Sequence, residues 1–324
     1  MSKLPELLIN FSDFYPGFSK TENYFYSILS RDYTLILSSE PEVLIYSCFG
    51  YDYLDFNCLR IFYTGENRKS DFSACDFSIS FEYLNKENHY RLPCYSVRAF
   101  YFNFLPELVR ELTRDEALVE WNRKSKFCCT VVSNGKSAVR NDFFHKLNAT
   151  KQVDSGGRYL NNIGGAVEDK FKFTEDYKFV FAFENQRYPG YLTEKLMDAI
   201  LVNSIPIYWG DPKVNKDFNP KRFLNYSDYI DEEALIQDIL AIENDKDRFI
   251  SMISQPVFNL NVIPQHLEED KLLLFLNKAI SKRKEVIPVA RTAKAERHRI
   301  KLKIRSLIKK SPFLRERLLI EFKM

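Results

Sequence analysis

The 324-residue sequence lacks any apolar run long enough to span a bilayer, which argues against an integral membrane protein. Its first 18 residues also lack the layout of a signal peptide, because polar and acidic residues at positions 6, 10, 12 and 13 interrupt the apolar stretch. No internal repeat, heptad array or low-complexity segment is present. These absences predict a globular protein of the cytoplasm.

Patterns typical of metal centres and disulfides are also missing. The six cysteines (Cys48, Cys58, Cys75, Cys94, Cys128 and Cys129) contain no C-x-x-C pair, and the four histidines (His89, His145, His266 and His298) are scattered. We therefore expect reduced, mostly buried thiols, with neither disulfides nor a zinc site.

Positive charge is concentrated at the end of the chain. Residues 282–324 contain 15 Lys or Arg against 4 Asp or Glu, a local net charge of +11, whereas the whole chain carries only +3. Residues 1–281 therefore carry a net charge of −8. This asymmetry predicts a mildly acidic body with a strongly basic tail.

Short apolar runs alternate with helix-like segments along the body. In the first part we predict strands at 7–11, 33–38, 43–47, 60–64 and 77–81, a helix at 23–29, a turn at 90–93 and a helix-like connector at 107–122. In the second part we predict strands at 127–133, 179–183 and 205–209, and helices at 139–147, 232–243, 246–253 and 271–280. This alternation indicates parallel α/β domains, which we place at 1–122 and 123–270, followed by a closing helix and tail at 271–324.

Residues 179–210 form a strand–loop–helix–strand unit, with Pro189 and Gly190 breaking the chain before the helix. One side of that helix is apolar (Leu192, Leu196, Ala199 and Ile200), and the other is polar or amphipathic (Tyr191, Glu194, Lys195 and Asp198). A helix N-terminus that follows a strand suits a phosphate group, and the Lys195 ammonium adds charge. The alternative is a solvated helix face with an ordinary charge pair.

Several segments here resemble the donor-binding signature of the α1,3/4-fucosyltransferases, glycosyltransferase family 10, and match its bacterial, Helicobacter-type branch well. They are Phe183-Glu184-Asn185, Tyr191-Leu192-Thr193-Glu194-Lys195, Ile205-Pro206-Ile207-Tyr208-Trp209-Gly210 and Asp217-Phe218-Asn219-Pro220-Lys221-Arg222-Phe223. The resemblance implies a GT-B fold, in which two Rossmann-like domains enclose a cleft. The N-terminal domain then faces the acceptor, and the C-terminal domain holds GDP-fucose.

Glu66 is the candidate catalytic base. It lies in a loop directly after the predicted strand 60–64, and Tyr63-Thr64-Gly65-Glu66-Asn67 is similar to the family segment that carries the catalytic carboxylate. A correctly placed base typically contributes about 10²–10⁴-fold to the rate. A merely solvated loop glutamate is the alternative, because most exposed glutamates have no chemical role.

Arg140 is the candidate clamp for the diphosphate, together with Lys195. The run from Ser133 to Asn141 follows a strand and opens a helix, and a guanidinium fork suits phosphate oxygens. Gly135-Lys136-Ser137 is not a P-loop, because Thr130 replaces the first glycine. A surface arginine is the alternative.

Other donor contacts are implied by the family resemblance. Asn185, Tyr191 and Glu194 match positions that contact the nucleotide and the fucose. Glu184 is assigned either to the developing positive charge on the sugar or to backbone groups at the strand end. Asp217 and Asn219 are interpreted as turn residues around Pro220.

No metal site is expected. Asp52 and Asp55 lack the D-x-D spacing with which glycosyltransferases of another fold hold a cation. Arg140 and Lys195 can supply the positive charge instead. We expect Mg²⁺ or Mn²⁺ to be at most stimulatory.

The basic tail predicts an amphipathic helix. Ile300, Ile304, Leu307 and Ile308 fall on one side among many cations, and Leu314, Leu318 and Phe322 suggest a second short helix after Pro312. We expect this segment to bind the anionic inner face of the cytoplasmic membrane rather than nucleic acid, because it has few aromatic side chains for stacking on bases. A solvated helix docked on the body is the alternative.

Together these patterns predict an inverting fucosyltransferase that forms an α1,3 linkage to an N-acetylglucosamine or glucose unit of a surface glycan such as lipopolysaccharide O-antigen. Two alternatives stay open. One is a GT-B glycosyltransferase with another nucleotide sugar, and the other is a non-catalytic membrane or nucleic-acid adaptor that acts through the tail.

Overall fold

A computed structural model describes residues 3–310, with side-chain placement up to residue 304. The predicted second tail helix around Leu314, Leu318 and Phe322 lies outside the described residues.

The first domain is built on a six-stranded parallel sheet with the order β2-β1-β3-β4-β5-β6. Its strands are β1 Glu6–Ser12, β2 Thr34–Leu37, β3 Val43–Tyr46, β4 Leu59–Tyr63, β5 Phe77–Ser80 and β6 His89–Arg91. Strand β3 is apolar and fully buried along its whole length, and its neighbour β4 is apolar except for Arg60, as expected where helices cover both faces of a parallel sheet.

The second domain is built on a five-stranded parallel sheet with the order β11-β10-β9-β7-β8. Its strands are β7 Lys126–Thr130, β8 Val153–Ser155, β9 Tyr177–Phe183, β10 Ile205–Trp209 and β11 Leu224–Asn225. The aromatic run of β9 lies in the middle of this sheet, where Phe179 and Phe183 are almost fully buried.

Eleven α-helices accompany the two sheets within residues 3–310. They are α1 Tyr24–Leu29, α2 Cys94–Tyr101, α3 Leu105–Val109, α4 Arg114–Arg123, α5 Ala138–Thr150, α6 Lys170–Thr174, α7 Glu194–Leu201, α8 Glu232–Glu243, α9 Lys246–Ile253, α10 Glu269–Ser281 and α11 Ala293–Lys310. Residue 122, the predicted end of the first domain, lies inside α4.

The chain exchanges helices between the two domains. Tyr95 and Ala99 of α2 are buried against the second domain, in one core with Leu196 of α7. Conversely, Leu276 and Ala279 of α10 are buried in the core of the first sheet. The chain therefore crosses between the domains twice after leaving the first sheet, and this double crossing ties the domains together.

Buried ion pairs join the domains at the same crossing. Arg91, at the end of β6, donates two hydrogen bonds to the Asp217 carboxylate at 3.0 and 2.7 Å. The Asp198 carboxylate of α7 pairs with Arg98 at 3.0 Å. Asp217 lies in a turn, as predicted, and is in addition an interdomain ion-pair partner. Asn219 caps a 3₁₀ turn by accepting the Lys221 N–H at 3.1 Å.

The structure corrects several predicted elements. The turn predicted at 90–93 is strand β6, which pairs with β5 although it has only three residues. The connector predicted at 107–122 is two helices, because Arg110 adopts an extended backbone and Thr113 begins α4 with a capping box. Strands β8 and β11 were not predicted, since two or three residues are too few to show a period. All six cysteines are free thiols and four are buried, which agrees with the expectation of mostly buried thiols.

The basic helix α11 packs against the first domain. His298 and Arg299 point towards that domain, where Tyr53 Oη lies 2.7 Å from His298 Nε2 and Arg299 donates to the carbonyl oxygen of Leu54. Ile300 and Ile304 lie on the exposed side of α11, at 49% and 51% exposure. Among residues 3–310, no helix combines the length and the apolar character needed to cross a bilayer.

Candidate active site

The predicted site residues lie in loops and helix starts that follow the carboxyl ends of parallel strands. Glu66 follows β4, Arg140 belongs to the helix after β7, and Glu184 follows β9 directly. In an open parallel sheet these carboxyl ends form the edge at which ligands bind. The ion pairs described above hold the two domains together, so both edges contribute to one interdomain cleft.

The Glu66 loop is shaped by Thr64 and Gly65. Thr64 Oγ1 accepts the Glu66 N–H at 3.0 Å and donates to the Glu66 carbonyl oxygen at 3.1 Å, which leaves the Glu66 side chain exposed. A Cβ atom on Gly65 would lie 3.2 Å from the Cys94 sulfur, so the loop is packed tightly on the start of α2. Asn67 donates a hydrogen bond to the side chain of Gln186, which belongs to the second domain. The Glu66 loop therefore lies at the boundary between the domains.

Glu184 is fully buried and holds the start of α7. Its carboxylate accepts the Thr193 N–H at 2.7 Å, the Thr193 hydroxyl at 2.7 Å and the Lys195 ammonium at 3.0 Å. Gly210 allows this packing, because a Cβ there would lie 2.5 Å from Glu184 Cγ. Two roles were considered for Glu184, and these contacts agree with the second, in which its carboxylate accepts hydrogen bonds from groups near the helix start. The same carboxylate is the counter-charge of Lys195.

The charged residues at the start of α7 influence one another's protonation. Burial by itself opposes the charge on Lys195, but the carboxylates of Glu184 and Glu194 raise its pKa above the ordinary value. Burial likewise opposes the charge on Glu194, yet the neighbouring cations, Lys195 first, lower its pKa below the ordinary value. Both side chains therefore stay charged at neutral pH. Helix α7 begins at Glu194, so Tyr191 and Leu192, predicted on the helix, lie in the preceding loop.

Charges from both domains meet at Tyr191 and Cys94. Burial raises the pKa of the Tyr191 hydroxyl, and the carboxylates of Glu184 and Glu66 raise it further. Burial is also the main cause of the raised pKa of the Cys94 thiol, followed by the carboxylates of Glu194 and Glu184, with a smaller effect of Glu66. Direct packing joins the same groups, because the Tyr191 ring lies 5.3 Å from that of Phe81 in the first domain and Gly65, next to Glu66, packs on the Cys94 sulfur.

Arg140 lies at the start of α5 and is only 3% exposed. Its guanidinium donates to Asn185 Oδ1 at 3.3 Å and to the carbonyl oxygen of Asn134. Burial lowers the pKa of Arg140 from its ordinary value. Arg140 and Asn185 are thereby brought together, as the prediction of a shared donor site requires.

Two residues beside Arg140 were missed by the sequence analysis. The Ser137 hydroxyl, at the N-cap of α5, is buried and has no hydrogen-bond partner among residues 3–310. The Tyr159 ring lies over Gly135 so closely that a Cβ there would come within 2.5 Å of it. An unsatisfied hydroxyl beside a buried cation at a helix N-terminus suits a phosphate oxygen. No sequence pattern pointed to Tyr159, because it is 19 residues away from Arg140 in the chain.

Other polar residues do not join this cluster. Asp198, predicted on the polar side of α7, is buried in ion pairs with Arg98 and Lys170 at 3.0 and 2.7 Å. One triplet with D-x-D spacing does occur, Asp245-Lys246-Asp247, but Asp245 caps α9 and Asp247 forms a surface pair with Arg114.

Two parallel α/β domains with a charged cluster of this kind at their shared cleft define the GT-B class of glycosyltransferases. Comparison with known proteins places the chain more closely. Residues 9–98 match the profile of the alpha-(1,3)-fucosyltransferase FucT N-terminal domain, and residues 121–254 match that of the glycosyltransferase family 10 (fucosyltransferase) C-terminal region. The chain therefore belongs to glycosyltransferase family 10, the fucosyltransferases.

Individual relatives agree with this family. The alpha-(1,3)-fucosyltransferase FucT of Helicobacter pylori is 32% identical over an alignment of 270 positions, which covers 72% of this chain and 56% of the relative. A putative fucosyltransferase, R654, of Acanthamoeba polyphaga mimivirus is 32% identical over an alignment of 172 positions, which covers 49% of this chain and 28% of the relative. The chain thus spans about half, or less, of the length of these curated relatives.

Solved structures show the same architecture. A crystal structure of an alpha1,3-fucosyltransferase with GDP-fucose superposes with a TM-score of 0.72 at 27% identity, covering 86% of this chain and 91% of the other. A second alpha1,3-fucosyltransferase crystal structure superposes with a TM-score of 0.75, also at 27% identity, covering 89% of this chain and 93% of the other. The predicted GT-B fold is confirmed by these superpositions.

Proposed function

We propose that this protein transfers L-fucose from GDP-β-L-fucose to a hydroxyl group of an N-acetylglucosamine or glucose unit, with inversion and with an α1,3 linkage. One observation carries the proposal. The Glu66 loop of the first domain contacts the donor-side loop of the second domain through the hydrogen bond from Asn67 to Gln186, and that loop leads into helix α7 with Lys195. An inverting transfer needs this pairing of a base on the acceptor side with cations on the side of the leaving group.

The donor is assigned to the second domain. Arg140 and Lys195 supply positive charge for the diphosphate, and Ser137 offers a free hydroxyl at the start of α5. Asn185 is already hydrogen-bonded to Arg140 and is therefore placed to contact the same ligand. Charge partners that are held in place in this way contribute about 10²–10³-fold each to a reaction that releases an anion.

Tyr191 and Glu194 complete the donor side. The Tyr191 ring packs edge-on against Phe81 of the first domain, with ring centroids 5.3 Å apart, so its position depends on the two domains being closed. Glu194 remains ionised beside Lys195, and an ionised carboxylate suits either a sugar hydroxyl or the developing positive charge on the ring. Glu184 contributes indirectly, because its carboxylate binds the Lys195 ammonium and fixes its position.

The chemical step is a single displacement. Glu66 accepts the proton of the acceptor hydroxyl while that oxygen forms a bond to the anomeric carbon of fucose. The bond from this carbon to the phosphate oxygen breaks on the opposite face, and GDP leaves with the electron pair. The β-linked donor therefore yields an α-linked product. Arg140 and Lys195 stabilise the negative charge that develops on the diphosphate.

The first experiment measures GDP release from purified protein with GDP-fucose and N-acetyllactosamine, with the product linkage determined by NMR. Turnover with an α1,3 product would support donor, reaction and linkage together. Turnover with another nucleotide sugar in a donor panel, but not with GDP-fucose, would replace the proposal by the GT-B alternative. If neither turnover nor GDP binding is found, the proposed function is wrong, and the tail-driven adaptor becomes the leading hypothesis.

Single variants test the assigned roles. Glu66→Ala should keep GDP binding but lose transfer by about 10²–10⁴-fold, because it removes the base. Glu40→Ala, which changes another exposed loop glutamate, is the matched control and should transfer normally. Near-normal turnover of Glu66→Ala would remove Glu66 as the base.

The clamp is tested by GDP binding. Lys195→Ala and Arg140→Ala should each weaken GDP affinity in calorimetry, since each removes a cation from the diphosphate site. Lys246→Ala, at an exposed helix start, serves as the control for loss of one positive charge. Unchanged GDP affinity in both variants would contradict the clamp assignment.

No metal ion is required in this proposal, because Arg140 and Lys195 supply the charge that a cation would otherwise provide. Mg²⁺ or Mn²⁺ is expected at most to stimulate. Turnover that disappears in the presence of EDTA and returns with a divalent cation would contradict this.

From the basic tail we propose that the protein acts at the inner face of the cytoplasmic membrane. The exposed Ile300 and Ile304 on a basic helix suit the surface of an anionic bilayer, and each nearby Lys or Arg contributes about 1 kcal/mol. A glycan under assembly for the cell surface, such as lipopolysaccharide O-antigen, would then be the acceptor. Co-sedimentation with phosphatidylserine vesicles, but not with phosphatidylcholine vesicles, tests the membrane contact.

A further inference from the structure

A large cavity lies between the first domain and α11, and none of the candidate donor residues lines it. It has a volume of about 1030 Å³. Its floor is formed by residues that follow β3 and β4, including Ser47, Cys48 and Arg68, and α11 contributes Arg299 and Leu302 to the opposite wall. The cavity therefore opens at the carboxyl edge of the first sheet, the edge that also carries Glu66.

Helix α11 is fixed at this wall by a buried histidine. The His298 side chain is only 9% exposed, with Tyr53 Oη 2.7 Å from Nε2 and Asp71 Oδ2 3.2 Å from Nδ1. The Tyr53 ring stacks in turn on Tyr46, with ring centroids 4.2 Å apart. This wall is therefore a packed surface with specific hydrogen bonds.

Direct contacts between neighbouring side chains link the cavity lining to the loop of the candidate base, Glu66. Cys48, on the cavity floor, lies 3.6 Å from Thr64 Oγ1, and Thr64 holds the backbone of Glu66. Lys69, another lining residue, lies over the ring of Tyr188 in the donor-side loop, 4.9 Å from the ring centroid. The cavity thus lies next to the loop that carries Glu66, and its lining residue Lys69 contacts the donor-side loop.

We propose that this cavity binds the acceptor oligosaccharide and that α11 forms one wall of the acceptor site. The inference rests on the proposed function, because it assigns the second substrate of that reaction. It gives the C-terminal helix a role in substrate binding in addition to any contact with a membrane.

The lining has the chemistry of a sugar site. The Tyr51 side chain is 60% exposed at the cavity and offers an aromatic face, while Arg68, Asp55 and Lys303 place charged hydrogen-bonding groups around it. The volume lies at the upper end of the roughly 300–1,000 Å³ usual for ligand sites, which suits several linked sugar units. The segment of Tyr51 is fixed by the Asp13 carboxylate, which accepts hydrogen bonds from the backbone N–H groups of Asp52 and Tyr53 at 2.9 and 2.8 Å.

The test separates acceptor binding from donor chemistry. Tyr51→Ala and His298→Ala are made in the full chain and assayed with GDP-fucose and N-acetyllactosamine. We expect the acceptor KM of Tyr51→Ala to rise about tenfold, equivalent to roughly 1.4 kcal/mol, with the KM for GDP-fucose unchanged. His298 acts as a positioning residue, so His298→Ala should show the same split between the two KM values. Tyr101→Ala removes an equally exposed tyrosine on α2 and should match the wild type.

The outcomes distinguish this inference from the proposed function. Wild-type acceptor KM in both Tyr51→Ala and His298→Ala, together with normal slow hydrolysis of GDP-fucose, would overturn the inference and leave the function intact. A wild-type protein that neither binds GDP nor uses GDP-fucose would overturn the function itself. A further variant, Ile304→Ser on the exposed side of α11, should reduce vesicle binding without changing the acceptor KM. An equal change of both KM values in Tyr51→Ala would also contradict the inference.

Discussion

The ion pair between Glu184 and Lys195 allows a quantitative test of the candidate site. Glu184 is fully buried, and its carboxylate lies 3.0 Å from the Lys195 ammonium. Glu184→Gln keeps the shape of the side chain but removes its charge, so the lysine cation loses its nearest counter-charge. Removing one partner of a buried pair costs about 3–5 kcal/mol. We expect about 3 kcal/mol, at the low end, because the Lys195 side chain is 20% exposed and Glu194 lies 3.8 Å away.

A double-mutant cycle measures this coupling directly. Glu184→Gln, Lys195→Met and the double variant are unfolded in urea and followed by tryptophan fluorescence. Trp209 is a suitable probe, since its carbonyl oxygen accepts the Glu184 N–H at 2.7 Å. The double variant should be more stable than the sum of the single effects predicts, by about 2 kcal/mol. Glu285→Gln, which breaks an exposed pair with Lys282, should cost less than about 1 kcal/mol.

Two single effects that simply add within about 0.5 kcal/mol would show that the Glu184 carboxylate does not stabilise the Lys195 cation. Lys195 would then be stabilised by solvent or by Glu194 alone. Glu184 would need another explanation for its burial, and the assignment of Glu184 as the residue that holds Lys195 would be wrong.

Three other perturbations probe the joined domains and α11. Gly190→Ala should cost more than about 2 kcal/mol in thermal unfolding, because Gly190 has a φ of +87° and an added Cβ would lie 2.2 Å from a backbone oxygen. Asp217→Asn should cost about 3–5 kcal/mol in the same assay, since it leaves the buried Arg91 cation without its partner. The docking of α11 should weaken as the pH falls below about 6.5. Burial lowers the pKa of His298, so the docked form binds fewer protons than the free helix, and this stabilisation is present above pH 6.5 and lost on acidification. Hydrogen exchange of residues 293–304 at about pH 7.5 and 5.5 measures this change.

Each of these predictions has a control in the same chain. Gly164→Ala also changes a glycine with positive φ, but into open space, so it should cost less than Gly190→Ala. Asp247→Asn breaks an exposed pair and should be nearly neutral. His298→Gln should abolish the pH effect on hydrogen exchange. Similar costs for the two glycines, a neutral Asp217→Asn, or exchange that is the same at both pH values would each contradict the corresponding argument.

Much of the fold could be predicted from local patterns. The apolar strands at 43–47, 60–64, 179–183 and 205–209 are present as β3, β4, β9 and β10, because their residues are buried on both faces and need no long-range information. The elements that were missed, β6, β8 and β11, are two or three residues long. Such strands exist only because a neighbouring strand offers an open edge, which no local period reveals.

The candidate site was predicted where its residues lie in one continuous segment. The run from Glu184 to Lys195 was identified as a unit, and the structure brings its members together through Thr193. Asp217 was correctly predicted as a turn residue, but its ion pair was missed, because its partner Arg91 is distant in sequence and lies in the other domain. Tyr159 was missed for a similar reason, since only the packing over Gly135 brings it beside Arg140.

Local patterns were enough to predict the α/β class, the donor-side segment and the basic character of the last helix, because each depends on composition or spacing within a few turns of chain. The folded chain was needed to show which charges are paired, how α2 and α10 cross between the domains, and that α11 closes a cavity beside the Glu66 loop. Pairing and burial depend on distances between residues that are remote in sequence. Those distances are set by the packing of whole domains and not by any local preference.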